Sequence, residues 1–360
     1  MKMLSSLTGK ALLGAAAAAG AMAFGSLAQA QERQTINFMS PNDSSCSFYV
    51  QFNAETFGFW AEEGVKVNLL SSETTIPYVA FLQNGDADIV TLDSSQVLQA
   101  VDNNLPIKVI YEAYTFAPEG IVVTADSPIR SLTDLKDTTI GMASDRDLIT
   151  TIITLDSIGE TLESYNVTTV VVGDSGPVMA GALKNKTIDA FAGGSSDRAG
   201  IEAAGVQIRN ITPPEVSRNP GNSFAVWGPT LEEKRPMIEK FLRAWAKTSL
   251  AGVIDTKLTA AACRTAIPEQ FENIDTGMSM INNNVYTLQI RRTKDFGEPQ
   301  PDVWAAIQPP YIKQKEISKE LDPATLIDSS FIAAANDFTT ADVKKKIYEW
   351  RDANKDKLLN

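Results

Sequence analysis

A segment that occurs twice constrains this chain more than any other feature. Leu82-Gln-Asn-Gly-Asp-Ala-Asp88-Ile-Val runs through Leu92 and Asp93 to Ser94-Ser95, and Leu183-Lys-Asn-Lys-Thr-Ile-Asp189-Ala-Phe runs through Gly193 and Gly194 to Ser195-Ser196. At one constant offset Leu82 matches Leu183, Asn84 matches Asn185, Asp88 matches Asp189, and the Ser-Ser pairs coincide. Each copy reads as a helix end, a tight turn, an apolar strand, and hydroxyls opening the next helix. Two such units predict two similar α/β lobes whose strand ends offer small polar groups to a shared crevice. Asp88 and Asp189 are read as turn-formers rather than ligand contacts.

The first thirty residues read as a secretory leader. Lys2 and Lys10 give a positive start, Ala11 to Leu27 is apolar and Ala-rich, and Ala28-Gln29-Ala30 is a small-residue cleavage site. No twin arginine precedes the apolar run and no Cys sits at the cleavage point, so ordinary export without a lipid anchor there is expected, to the periplasm. Nothing after it is apolar for long enough to span a bilayer. The formal net charge is −12, and the leader's only charges are two lysines, so the exported chain is more acidic still. Nucleic acid and anionic membrane are thereby disfavoured as general partners. A small anionic ligand needs only a local positive site and stays allowed.

The chain of 360 residues contains no histidine. That removes the commonest general base and the commonest transition-metal ligand. No nucleophile elbow, P-loop, GxGxxG or CxxC pair is present either. A protein without catalysis, metal or cofactor is expected. Two cysteines, Cys46 and Cys263, enter an oxidising compartment; they either pair or remain as thiols, and their spacing fits no dense disulfide framework.

Strand and helix signals alternate from Thr35 to Ile211. Strands are predicted at 35–39, 65–70, 89–92, 107–111, 120–124, 139–142, 168–172, 206–211 and 223–227, implying mainly parallel sheets flanked by helices. One helix is expected to carry Val50, Ala54, Phe57 and Ala61 on a single face. Ser223–Trp227 is expected to return the chain to the first lobe, after which the chain is helical. Thr230-x-x-Glu233 has capping-box spacing, and Phe241, Leu242 and Trp245 keep a core stripe. Lys344-Lys345-Lys346 reads as a solvated helix face. The resulting division is 1–30 leader, 31–120 with 225–360 as the first lobe, and 121–224 as the second.

At this point the chain resembles a known family. Gly58-Phe-Trp-Ala-Glu-Glu-Gly64-Val-Lys-Val67, Leu82–Asp88, and Ser127-Pro-Ile-Arg-Ser-Leu-Thr-Asp-Leu-Lys136 followed by Ile140-Gly141 look like motifs of periplasmic solute-binding proteins of the nitrate, alkanesulfonate, taurine and thiamine-pyrimidine type. Asp137 departs from the pattern, which usually has Gly there. The resemblance implies a two-lobed venus-flytrap fold that closes on a ligand and delivers it, as a monomer, to the membrane permease of an ABC importer. A ligand in such a fold sits beyond the carboxyl ends of strands, where helix N-termini present free N–H groups. The candidate ligand-binding residues are therefore Asn42, Tyr49, Thr75, Tyr78, Ser94 and Ser95 from the first lobe, opposed by Arg146, Asp174, Ser195, Ser196 and Arg198. Tyr114 and Trp227 are placed near the crossings between lobes. Two arginines beside several aromatic candidates suggest a small organic anion, an aromatic carboxylate or sulfonate. A neutral or zwitterionic heterocycle, leaning on Asp93 or Asp174, is the nearest variant, and a sensor module is the alternative to an importer component.

Overall fold

The computed structural model describes residues 33–40, 45–70, 77–114, 119–144, 147–173, 175–213, 216, 220–289 and 293–359, with the backbone alone at 195 and 196. Its strands are β1 (Gln34–Met39), β2 (Val65–Leu70), β3 (Ile89–Leu92), β4 (Ile107–Glu112), β5 (Gly120–Thr124), β6 (Thr139–Met142), β7 (Thr168–Val171), β8 (Ala190–Gly193), β9 (Ile208–Asn210) and β10 (Ser223–Trp227). The helices through the second sheet are α1 (Val50–Thr56), α2 (Phe59–Glu62), α3 (Tyr78–Asn84), α4 (Ser94–Asp102), α5 (Asp147–Asp156), α6 (Gly176–Lys184) and α7 (Ser195–Ala203). After β10 come α8 (Leu231–Ile254), α9 (Thr256–Ala266), α10 (Ile274–Gln289), α11 (Pro301–Ala306), α12 (Gln308–Lys313), α13 (Pro323–Leu326), α14 (Ile332–Ala335) and α15 (Thr340–Ala353).

The strands form two five-stranded sheets with matching order, β2-β1-β3-β10-β4 and β7-β6-β8-β5-β9. In the first, β1 pairs parallel with β2 and β3, whereas β10 pairs antiparallel with β3 and β4. In the second, β6 pairs parallel with β7 and β8, whereas β5 pairs antiparallel with β8 and β9. Four of the five strands in each sheet thus run one way, and the reversed strand sits fourth in both. Each reversed strand is the first one laid down after the chain has changed sheets. The molecule is two-lobed; the chain passes to the second sheet between β4 and β5 and returns between β9 and β10.

The repeated segment adopts the same local structure in both lobes. Leu82 and Leu183 are buried, and the turn residues Gly85 and Lys186 are both left-handed, at φ 78° and 55°. Asp86 and Ala87 donate backbone N–H to Phe81 O, as Thr187 and Ile188 do to Ala182 O. Asp88 N–H donates to Asn37 O at 2.8 Å while its carboxylate accepts from Asn37 N–H at 2.8 Å. Asp189 makes the same two bonds with Thr139, each at 2.8 Å. These aspartates therefore pin the neighbouring strand as well as forming a turn.

Three local expectations change. Gly58 adopts φ 78° and splits the helix expected from Val50 to Ala61 into α1 and α2, because a left-handed residue cannot continue an α-helix. Thr230 caps nothing with its side chain; its hydroxyl donates to Trp227 O instead. Lys346 reaches Glu62 at 3.4 Å and is partly withdrawn from solvent, while Lys345 stays exposed. Asp137 takes φ 58° and is steadied by Asn166 Nδ2–H donating to its carboxylate at 2.9 Å. Asp is one of the residues that tolerates this region.

The first lobe's core is aromatic. Phe224 meets Trp245 edge-on at 4.7 Å, Trp60 stacks on Phe241 at 5.0 Å, and Phe38 lies against both Phe224 and Phe241. The Glu62-Glu63 pair of the family-like motif serves this core from its edge. Lys247, 6% exposed on α8, donates to both carboxylates at 2.6 Å, and Arg243 reaches Glu63 at 3.1 Å. Burial opposes charge on Lys247, but the two hydrogen bonds outweigh it and its pKa is raised. Cys46 and Cys263 are paired, closing 217 residues and tying the turn after β1 to α9.

Two outcomes are expected. Replacing both cysteines by serine removes a long-loop cross-link and lowers unfolding free energy by about 2–5 kcal/mol, measured by denaturant titration. Glu112, at the end of β4, is 1% exposed, and burial lifts its pKa to about 7 despite hydrogen bonds from Trp304 Nε1 (2.8 Å) and Gln300 N (3.2 Å). Between about pH 4.5 and 7 the folded state holds the extra proton, so this group's contribution is complete at low pH and is lost as pH rises through 7. The wild-type protein should lose about 3 kcal/mol more than Glu112→Gln between pH 4.5 and 8.

Candidate functional site

The carboxyl ends of β1, β3 and β4 define one edge of the first sheet, and those of β6, β7 and β8 the corresponding edge of the second. Helices α4 and α7 start at these edges, directly after β3 and β8. A reversed strand starts where its neighbours end. Ser223 pairs with Leu92 and Glu112, and Gly120 pairs with Gly193. The amino ends of β10 and β5 therefore also border the crevice.

This geometry relocates Trp227. It pairs with Ile107 at the start of β4, so it lies at the opposite edge of the sheet from the crossings, and Ser223 occupies the rim instead. Tyr49 is also removed from the expected surface. It is fully buried against α8, with its hydroxyl 3.4 Å from Ser249 O. Tyr114 does lie at the crossings, where its N–H donates to Asn222 O at 3.2 Å and its carbonyl accepts from Gly221 N–H at 2.9 Å. Its hydroxyl accepts from Asn284 Nδ2–H at 2.6 Å and donates to Ser47 O at 3.3 Å, which bolts the crossing to the first lobe. Burial raises its pKa.

Ser94 and Ser95 open α4, with Asp93 and Gln96 capping each other reciprocally. The buried Ser94 hydroxyl meets Tyr311 Oη at 3.1 Å, and Ser95 Oγ accepts from Gln99 Nε2–H at 3.2 Å. Tyr78 begins α3 and packs half-buried against the first lobe's second apolar cluster. In the second lobe, Gly194 replaces Asp93 before α7, and its N–H donates to Asp197 Oδ2 at 2.7 Å. Arg198 is half-buried on the first turn of α7; burial lowers its pKa, opposed by Asp197, Glu202 and Glu119. Asn42, Thr75, Arg146 and Asp174 lie outside the described residues, as do the side chains of Ser195 and Ser196.

Sequence reasoning missed two groups at this edge. Glu119, one residue before β5, accepts from Thr150 Oγ1–H at 2.6 Å. Tyr311, from α12, is 3% exposed; burial raises its pKa, and Asp93, Glu119 and Glu316 add to the rise. Residues of both lobes thus act electrostatically on one hydroxyl. Glu119 borders the crevice only because β5 runs against its neighbours, a direction no local pattern carries. Tyr311 had no local signal. Among the described residues no group of three or more His, Cys, Asp or Glu is placed to hold a metal ion. No helix among them is long and apolar enough to cross a membrane.

Known proteins share this architecture. The periplasmic aliphatic sulphonate binding protein SsuA from Escherichia coli superposes with a TM-score of 0.63 at 14% identity, over 83% of this chain and 92% of that one. The desulfurization enzyme DSZB superposes at 0.57 with 13% identity, over 84% and 99%. At these identities the likeness establishes the periplasmic-binding-protein fold. In sequence, the riboflavin-binding protein RibY of Chloroflexus aurantiacus is 24% identical over 232 residues, so this chain spans about 60% of that relative's length. The family described as NMT1/THI5 like matches residues 42–251, more than half of the sequence, and the chain belongs to that family.

Proposed function

We propose that this protein is an extracytoplasmic solute-binding protein, which captures a small organic molecule between its lobes and presents it to the membrane permease of an ABC importer without chemically altering it. The observation that carries the reading is the pair of facing sheet edges, each opened by the same strand–loop–helix unit and linked by hydrogen-bonded crossings. The sulphonate-binding and riboflavin-binding relatives support it, as does the leader expected over residues 1–30. The histidine-free sequence favours binding over catalysis, although DSZB shows that the fold also serves an enzyme.

The described part of the crevice favours a neutral or zwitterionic heterocycle. Glu119, held by Thr150, offers a carboxylate to ligand N–H groups on the same lobe that bears Arg198, and Asp93 lies on the facing rim. Hydrogen bonds to such charged groups discriminate strongly between donor-bearing and donor-free ligands. An organic anion of the carboxylate or sulfonate type is the second reading, favoured by Arg198 on the first turn of α7.

A thermal-shift panel of alkanesulfonates, aromatic carboxylates, nitrate, aminopyrimidines and riboflavin separates these readings. A true ligand at a hundred times its Kd adds about 2.7 kcal/mol of stability. For a heterocycle, Glu119→Ala should weaken binding about tenfold to a hundredfold and Arg198→Ala less; for an anion the order reverses. Stabilisation by none of these compounds would overturn the solute-binding proposal in its present form.

A further inference from the structure

Helix α5 has two buried faces. Leu148 and Leu155 join the core of the second lobe, while Ile149 and Ile153 pack against the apolar cluster of the first lobe that contains Tyr311. One turn further along the same stripe, Asp156 Oδ1 meets Lys313 Nζ of α12 at 2.6 Å. Positions 149, 153 and 156 share one side of a helix by their i, i+4, i+7 spacing. This second face leaves α5's own lobe and reaches across to the other.

Its counterpart is fastened to the first lobe along the length of α4. Tyr311 Oη meets Ser94 Oγ at 3.1 Å, Gln99 Nε2–H donates to Glu316, and Asp102 accepts from both the N–H and the hydroxyl of Ser318, each at 2.8 Å. Ile307, Tyr311 and Ile317 are buried in the same cluster. So α12 is tied to α4, and α5 belongs to the second sheet's lobe; α7 of that lobe also packs on α10 of the first. The seam between α5 and α12 is narrow: two half-buried isoleucines and one ion pair whose side chains remain 54% and 34% exposed. Exposed pairs are individually weak, and two partly covered isoleucines add only a modest apolar contact.

We propose that the α5–α12 seam is an inter-lobe latch, which biases the lobes toward the arrangement seen here through contacts that a solute in the crevice does not make. Helix α5 also follows the β6 loop at the crevice, so one rigid element carries both the rim and the latch. A shift in the latch changes the fraction of molecules competent to hold solute, and apparent affinity scales with that fraction. The latch stands apart from ligand identity and can be tested without a ligand.

The test measures the distance between spin labels on Lys66→Cys in the first lobe and Glu163→Cys in the second, both exposed, in the ligand-free protein with its native disulfide intact. The parent should give one narrow distribution. Lys313→Glu, and separately Ile153→Ser, should add a second inter-lobe distance with at least a several-fold rise in its population. The charge swap Lys313→Glu with Asp156→Lys should return the parental distribution. Distributions unchanged in the folded Lys313→Glu protein, or a swap that fails to restore the parent, would overturn the latch. The Lys313 variants alter exposed side chains, so they decide the matter even if Ile153→Ser does not fold.

Discussion

Each sheet is completed by a strand that the chain can supply only by crossing between lobes. β10 inserts between β3 and β4, and β5 inserts between β8 and β9, both against the direction of their neighbours. Without β10, the pairing of β4 with the rest of the first sheet is lost; without β5, β9 is detached from the second. The two lobes are therefore not independent beads on a linker. Their sheets depend on two chain passages, which also pair with each other at Tyr114 and 221–222. Motion between lobes is confined to deformations that leave this junction intact. The reversed strands also place their amino ends at the crevice, which is why Glu119 and Ser223 border it.

The long helical tail then braces the first lobe from behind. Lys247 and Arg243 on α8 gather Glu62 and Glu63, the Cys46–Cys263 bond anchors the turn after β1, and Asn284 on α10 reaches Ser47 and Tyr114. The acidic pair that carries family resemblance is thus a structural clamp. Removing one partner of such a withdrawn ion pair is costly because the other charge remains. A rim held from behind in this way can keep its polar groups oriented before a ligand arrives, reducing the ordering cost of binding.

Much of the fold was readable from local pattern. Strands 65–70, 89–92, 120–124, 139–142 and 223–227 appear with the expected bounds, because alternating or continuous apolar runs end at strong turn signals. The repeat was readable for the same reason: Leu82 and Leu183, and Asp88 and Asp189, perform matched local tasks. The candidate site was less legible. Spacing marked Tyr49 and Trp227 as interesting without revealing that one faces α8 and the other the far edge of a sheet. Ser94 was rightly placed at a helix start, but its partner lies more than two hundred residues away on α12.

The amino-acid sequence alone determined the alternation of strands and helices, the duplicated unit, and the absence of histidine chemistry. These are consequences of composition and of contacts within a few residues. Tertiary structure decided the direction of β5 and β10, the pairing of the two cysteines, and the meeting of Tyr311, Ser94 and Glu119 near one crevice. Strand direction and distant side-chain encounters depend on how the chain returns through space. That return is set by the summed packing of both lobes, and no short window of sequence contains it.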